Sequence, residues 1–462
     1  MLTYDLDRRG KLARYDYLYR CIREDILAGR LTAGEKLPSK RSLASHLQTA
    51  VITVQNAYAQ LEAEGYLYTR EKRGYYVADV ERHPAAPGRA PARSAPQPQR
   101  SWLLDLSSGG SGTEDFPFSV WAKLMRRVLS EEGEALLRAT PPNGADALRR
   151  AIAQHLYRFR GISAAPEQIV VGAGTEYLYN LIVQLLGREA VYGVEDPGYS
   201  KAARIYALGG ARTAPVLVDE GGVSLRSLEM SDAQILHTSP NHQFPTGAVT
   251  PIGRRQSLLR WAEAREGRYI IEDDYDSEFR FTLRPIPTLQ SIDRAGRVIY
   301  VNTFSRTLAP SLRISYMVLP KSLTERYRAQ LGFYSSTVPA MEQYTLARFL
   351  DEGYFEAHIN RMRKSYRAQR DAVIDTILQS PLGEHCRVSG EDAGLHFLLT
   401  IDTKCTDHVL RADAEGRGVR LSFLSDFALR PGSAPQHTLV VNYPGIDLAH
   451  LDVALNILNS LL

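Results

Sequence analysis

No stretch of this chain approaches the roughly 18 consecutive apolar residues of a membrane-crossing helix. The first residues, with Asp5, Asp7, Arg8, Arg9 and Lys11, lack the apolar core of a secretion signal. No membrane association is expected, and the chain is placed in the cytoplasm. Cysteine is scarce, with three in 462 residues. Cys21, Cys386 and Cys405 are far apart, so the close pairs of a zinc site or a redox motif are missing and no metal is expected. No internal repeat occurs at solenoid-like periods. Net charge is small at +4, but residues 1–100 carry 17 Lys/Arg against 11 Asp/Glu, leaving the other 362 residues slightly acidic. A basic surplus at one end is the footprint of a nucleic-acid-binding module. An apolar content of 44% over this length suffices for one small and one large domain, each with its own core.

Five prolines and almost no large apolar residue before Trp102 mark residues 80–102 as a linker between a domain at 1–79 and another at 103–462. In the first domain, Leu18, Ile22 and Ile26 recur at four-residue steps, predicting a helix from Tyr17 to Ala28 stopped by Gly29. A second helix begins near Pro38-Ser39. A third runs from Val51 to Glu64, with Val54, Tyr58 and Leu61 on one face and Gly65 as its stop. Tyr66–Arg70 and Tyr75–Ala78, joined by Glu71-Lys72-Arg73-Gly74, read as a hairpin. Three helices and a hairpin suggest a winged helix-turn-helix.

The run Leu37-Pro38-Ser39-Lys40-Arg41-Ser42-Leu43-Ala44, then Thr53-Val54 and Tyr58-Ala59-Gln60-Leu61-Glu62-Ala63-Glu64-Gly65-Tyr66-Leu67, resembles the DNA-binding domain of GntR-type regulators. The resemblance implies a double-stranded DNA operator touched by Ser39, Lys40, Arg41, Thr53, Gln55, Asn56, Lys72 and Arg73. The chemistry agrees: Ser, Lys and Arg at a helix start suit phosphates, and Gln or Asn can pair with adenine edges. Ala50-Val51 replaces the family's usual Ser-Arg, which implies an atypical operator or lower affinity. A winged helix that binds protein is the alternative.

Beyond the linker, Ile169–Val171, Arg268–Ile271 and Arg297–Val301 read as strands and Tyr177–Leu186 as a helix, so an α/β fold with a mainly parallel sheet is expected. Gly172-Ala173-Gly174-Thr175 leads into that helix and offers N–H groups to a phosphate; a bare glycine turn is the alternative. The acidic turn from Glu272 to Glu278 could set one carboxylate against a pyridinium nitrogen.

With Glu195-Asp196-Pro197-Gly198-Tyr199, His242-Gln243-Phe244-Pro245-Thr246-Gly247 and Thr303, Arg306 and Arg313, the order resembles fold-type I aminotransferases. The whole chain is similar to MocR-type regulators, a GntR winged helix fused to an aminotransferase-like domain with a smaller C-terminal α+β lobe. The resemblance implies pyridoxal phosphate as cofactor, with Gly174, Thr175, Thr303 and Arg313 on its phosphate, Tyr199 against the ring, Asp273 on the ring nitrogen and Tyr275 bordering the ring. It also implies a head-to-tail homodimer.

The departures matter as much. Arg306 stands where the Schiff-base lysine belongs. A guanidinium, with a pKa above about 12, cannot shed its proton to attack an aldehyde, so no catalytic residue is expected and the cofactor is held noncovalently if at all. Ala139 replaces an aromatic residue that reaches the partner's phosphate, Lys201 stands where some relatives have arginine, and Val440 stands where aminotransferases place a carboxylate-binding arginine, for which Arg420 is a possible substitute. Arg306 has three readings: it grips a phosphate- or carboxylate-bearing ligand, it pairs with Asp273 or Asp274, or it is a laboratory substitution. The expected function is a transcription regulator sensing a small anionic ligand, either pyridoxal phosphate or an amino-acid-related compound. An active aminotransferase and a ligand-free dimerisation domain are the alternatives.

Overall fold

The computed structural model describes residues 2–71, 73–80, 102–107, 116–276, 278–281 and 286–462. Lys72 and residues 81–101 of the expected linker lie outside the described residues. The chain divides into two compact units, Met1–Gln99 and Arg100–Leu462. No helix among the described residues is long and apolar enough to cross a membrane.

The smaller unit is a winged helix-turn-helix. Helices α1 (Arg14–Leu27), α2 (Lys40–His46) and α3 (Val51–Ala63) precede strands β1 (Leu67–Arg70) and β2 (Gly74–Val77), which pair antiparallel from Leu67 opposite Val77 to Arg70 opposite Gly74. The spaced apolar residues close the core: Leu18, Ile22, Leu43, Val54, Tyr58 and Leu61 are fully buried. Tyr58 donates its hydroxyl proton to the Pro38 carbonyl at 3.0 Å, which ties α3 to the start of α2. The first helix starts at Arg14, three residues before the expected Tyr17. Its opening turn is polar and Ala13 offers no capping side chain, so neither periodicity nor a cap marks the true start.

The larger unit is built on an eight-stranded sheet. After β3 (Leu104–Asp105), α4 (Phe118–Glu132) and α5 (Asp146–Arg160), its strands are β4 (Ile169–Gly172), β5 (Val191–Asp196), β6 (Arg212–Asp219), β7 (Gly222–Val223), β8 (Ile235–Thr238), β9 (Tyr269–Asp273), β10 (Val298–Thr303) and β11 (Ser315–Val318). Their spatial order is β4-β11-β10-β9-β8-β5-β6-β7. Strands β10, β9, β8, β5 and β6 run parallel, while β11 and β7 run against them. Every residue of β5, β8 and β10 is buried, as expected of parallel strands covered on both faces. Helix α6 (Thr175–Leu186) packs Leu178, Tyr179, Leu181, Ile182 and Leu185 inward, and α7 (Ser200–Leu208) follows β5.

The C-terminal lobe has three antiparallel strands in the order β12 (Cys386–Ser389), β13 (His396–Ile401) and β15 (Thr438–Asn442). Strand β14 (Val419–Arg420) instead pairs in parallel with β3. The loops after β4, β5, β8, β9 and β10 therefore gather at one edge of the central sheet, where ligands of open α/β sheets bind.

Candidate functional site

A cavity of about 390 Å³ opens at that edge. All eight residues expected around a cofactor line it: Gly174, Thr175, Tyr199, Asp273, Tyr275, Thr303, Arg306 and Arg313. Glu176, Tyr179, Lys201, Ser239, Phe244, Ser305 and Pro310 complete the wall.

Of the carboxylates in the acidic turn, only Asp273 faces the cavity. Its Oδ2 accepts the Tyr179 hydroxyl at 2.5 Å and lies 3.4 Å from His237 Nε2, while Oδ1 is buried without a hydrogen-bond partner. His237 is in turn bonded to the Tyr206 hydroxyl at 2.7 Å. A buried carboxylate oxygen without a donor suits a ligand N–H. Glu272, Asp274 and Asp276 are occupied elsewhere. Glu272 accepts the N–H groups of Leu289 and Gln290, and burial reinforced by Asp274 pushes its carboxyl up to about 7. Asp274 receives Arg160 and the Tyr300 hydroxyl, both at 2.6 Å. Asp276 lies 2.8 Å from His242 Nδ1.

The opposite end is cationic. Helix α6 begins at Thr175 behind Gly174, whose φ is 92°, and a side chain at Gly174 would collide with the Arg313 guanidinium. Arg313 itself holds a left-handed φ of 51°, a conformation that a non-glycine residue adopts at a cost. Its Nη2 donates to Glu176 Oε2 at 3.1 Å, and Glu176 Oε1 receives Lys201 Nζ at 3.0 Å. The Lys201 hydrogen bond holds the Glu176 carboxyl below its ordinary range, and the same bond raises the Lys201 ammonium. The Thr303 hydroxyl accepts from Ser315 Oγ at 2.7 Å and from the Ser305 N–H at 3.1 Å, so it braces the loop carrying Arg306.

Aromatic rings form the remaining wall. Phe244 meets Tyr199, Tyr275, His396 and Phe427 in edge-to-face contacts, the nearest being Phe427 at 4.9 Å. Burial pushes the Tyr275 hydroxyl up, Asp276 adds to the push, and the half-buried Arg306 guanidinium opposes it. Arg306 likewise restrains Tyr199, whose hydroxyl burial raises. Its charge thus acts on both tyrosines that would border a ring. Among the described residues one set of side chains, His242, Asp276 and His396, has ligand atoms within 4.8 Å of one another. These side chains already bond within the fold, His242 to Asp276 and His396 Nε2 to the Pro245 carbonyl at 3.0 Å. Burial, then His242, pushes His396 down to about 3.

One expectation is corrected. Arg420 is not among the residues lining the cavity: on β14 it bonds Asp105 at 3.3 Å and covers the Trp102 ring. Asp274 belongs to the buried group around Arg160. Val440 is fully buried and packs with Leu398, Leu424 and Ala434 beside Phe244, so its position is apolar. Ala139 is exposed.

In the smaller unit Ser39 caps α2, accepting the Ser42 N–H at 3.1 Å, and Lys40 sets its ammonium over the Tyr75 ring at 5.3 Å. Arg41, Gln55, Asn56 and Arg73 are exposed and Thr53 is half-buried. Val51 and Ile52, 43% and 58% exposed at the start of α3, add an apolar step beside them. Ile52 escaped the sequence reading because an apolar residue early in a helix signals core.

A winged helix and an aminotransferase fold with a cavity at the edge of its sheet define the class. Residues 14–77 match the bacterial regulatory proteins of the gntR family, and residues 103–413 match the aminotransferases of class I and II. The chain is 38% identical over 424 residues to the uncharacterized HTH-type transcriptional regulator YdeL of Bacillus subtilis, covering 91% of each protein. It is 35% identical to the probable rhizopine catabolism regulatory protein MocR of Rhizobium meliloti, covering 98% of this chain and 95% of that one. With the pyridoxine biosynthesis transcriptional regulator PdxR of Corynebacterium glutamicum it shares 34% identity, covering 88% and 87%. Among solved structures, a kynurenine aminotransferase of Pyrococcus horikoshii has the same fold at a TM-score of 0.68 and 22% identity, covering 79% of this chain and 91% of that one. The chain belongs to the MocR-type regulators of the GntR family, with an aminotransferase class I and II domain.

Proposed function

We propose that this DNA-binding transcription regulator senses a small anionic ligand in its aminotransferase-like domain, with pyridoxal phosphate the compound that its cavity suits, and does so without Schiff-base catalysis. The observation that carries the reading is Arg306 on the cavity wall, at the position where the family resemblance puts the Schiff-base lysine. The residues present fit the group in other respects. Asp273 Oδ1 lacks a donor, the start of α6 with Gly174, Thr175 and Arg313 makes an anion cradle, and Tyr199, Tyr275 and Phe244 offer apolar faces. When bound, pyridoxal phosphate supplies an aldehyde and an electron-accepting ring; Arg306 can only hold an anion by its forked donors. Lys201, the one lysine lining the cavity among the described residues, is kept protonated by Glu176 and is a poor nucleophile in that state.

On the DNA side we propose Ser39, Lys40, Arg41, Thr53, Gln55, Asn56, Lys72 and Arg73 as the contacts, with residues 1–79, 80–102 and 103–462 as DNA-binding domain, linker and sensor. A homodimer is proposed as the working form, checked by light scattering. The ion pair between Glu176 and Arg313 favours a second reading, a cavity closed on itself in a purely structural domain.

Titration of the purified protein with pyridoxal phosphate, followed by absorbance and binding heat, tests the choice. Binding heat without a borohydride-trapped adduct is expected, and Arg306→Lys is expected to gain the adduct. An adduct in the unaltered protein that disappears in Lys201→Arg defeats the noncovalent reading.

A further inference from the structure

The anion cradle already contains an anion. Glu176 is the second residue of α6, in the turn where the N–H groups and the helix dipole favour negative charge. Its two carboxylate oxygens are divided between Arg313 at 3.1 Å and Lys201 at 3.0 Å. Arg313 and Lys201 are therefore both paired within the chain, by one carboxylate that offsets half of their charge. We propose that Glu176 is the built-in occupant of the phosphate end of the cavity, and that an anionic ligand binds there by exchanging with it on Arg313. The inference rests on the reading that the cavity takes a phosphate-bearing ligand.

All three side chains reach solvent, and the backbone position is what restrains Arg313. Arg313 leaves a left-handed backbone position and crosses the space that the missing side chain at Gly174 leaves open, so its guanidinium stays at the cradle. The Arg313, Glu176 and Lys201 side chains are 49%, 40% and 57% exposed, so the carboxylate has room to turn outward while keeping its lysine. Carboxylate and phosphate cannot both sit on Arg313 at the start of α6, because two anions a few ångströms apart repel strongly where water is thinned. The exchange lowers affinity for ligands that carry a phosphate and leaves unphosphorylated ligands of the same ring nearly unaffected. Glu176 is thus a specificity-determining residue, setting the concentration at which a phosphorylated ligand registers.

The test uses 4-deoxypyridoxine 5′-phosphate and 4-deoxypyridoxine, neither of which carries an aldehyde, titrated calorimetrically into the full-length protein and its Glu176→Gln variant. The variant is expected to bind the phosphorylated compound about tenfold more tightly, by relief of like-charge repulsion, and the unphosphorylated one within about twofold of the unaltered protein. Glu176→Ala, which removes the hydrogen bond to Arg313 as well, is expected to tighten in the same direction. Equal affinity of the unaltered protein and both variants for the phosphorylated compound overturns the exchange but leaves the ligand reading standing. A tightening that is the same for both compounds also overturns the exchange. No binding of either compound by any of the proteins overturns both readings.

Discussion

The two units place their charge differently. In the winged helix the core of Leu18, Ile22, Leu43, Val54 and Leu61 is wholly apolar, and Arg41 and Arg73 stand at the surface. In the aminotransferase-like unit, Glu195, Glu272, Asp273, Asp274, Asp276 and Arg255 are all less than 10% exposed and lie behind or beside the cavity. Surface cations cost the fold little and are available to a polyanion. Buried ions must each be answered within the chain, as Arg255 is by the Thr250, Pro240 and Pro287 carbonyls and by Asn241. A site of the first kind can lose a residue and keep its fold; one of the second kind cannot.

The largest break in that contrast is expected at Arg160, whose guanidinium answers the buried Asp274. Arg160→Met should lose about 3–5 kcal/mol of stability, because it strands a buried charge, whereas Arg41→Ala should cost less than about 0.5 kcal/mol. Urea unfolding of both variants measures the difference, and equal losses would erase the distinction. Next, neutralising Lys40, Arg41, Lys72 and Arg73 together should weaken binding to DNA upstream of the protein's own gene by roughly 100-fold and flatten its salt dependence, with the cavity's ligand affinity unchanged. Unchanged DNA binding would reject recognition through these residues.

The third prediction concerns pH. The folded value of His396 lies near 3, below the ordinary 6.5, so the unfolded chain takes up a proton that the fold refuses. This contribution to stability is complete above about pH 6.5 and is lost as pH falls towards 3, by at most about 1.4 kcal/mol per pH unit. Glu272, raised to about 7, acts in the opposite direction between about 4.5 and 7 and is common to both proteins in the comparison. His396→Asn should therefore show a shallower stability loss than the unaltered protein between pH 6.5 and 4.5, and parallel profiles would contradict the assignment. The smallest effect, about 1 kcal/mol, is expected for Ile52→Ala on DNA affinity, through loss of apolar contact with a thymine methyl. Replacing operator thymines by deoxyuridine should reproduce it, and the two losses should not add.

Much of the site was legible because these motif residues lie at or just after strands of the central sheet: Gly174 and Thr175 after β4, Tyr199 after β5, Asp273 and Tyr275 at and after β9, Thr303 and Arg306 at and after β10. Strand and loop alternate in the chain, and the sheet needs only to form for these loops to meet. Glu176 was missed although it adjoins Thr175, because an acid in a first helical turn usually signals a solvated cap. Tyr179 was passed over as one more apolar-face residue of α6, whereas its hydroxyl holds Asp273. Arg420 could not be placed from the sequence because nothing local tells that β14 pairs with β3 and turns the side chain towards Asp105.

By itself the sequence determined the elements and the reactive inventory: apolar spacing, glycine stops, strand runs and the arginine where a lysine would do chemistry are all local properties of the chain. Only the tertiary structure decided which charges meet. Arg313 and Lys201 are brought to Glu176 across 137 and 25 residues, and Arg160 to Asp274 across 114. Pairing energies depend on distance and on the exclusion of water, and neither is defined until the sheet has closed over its core.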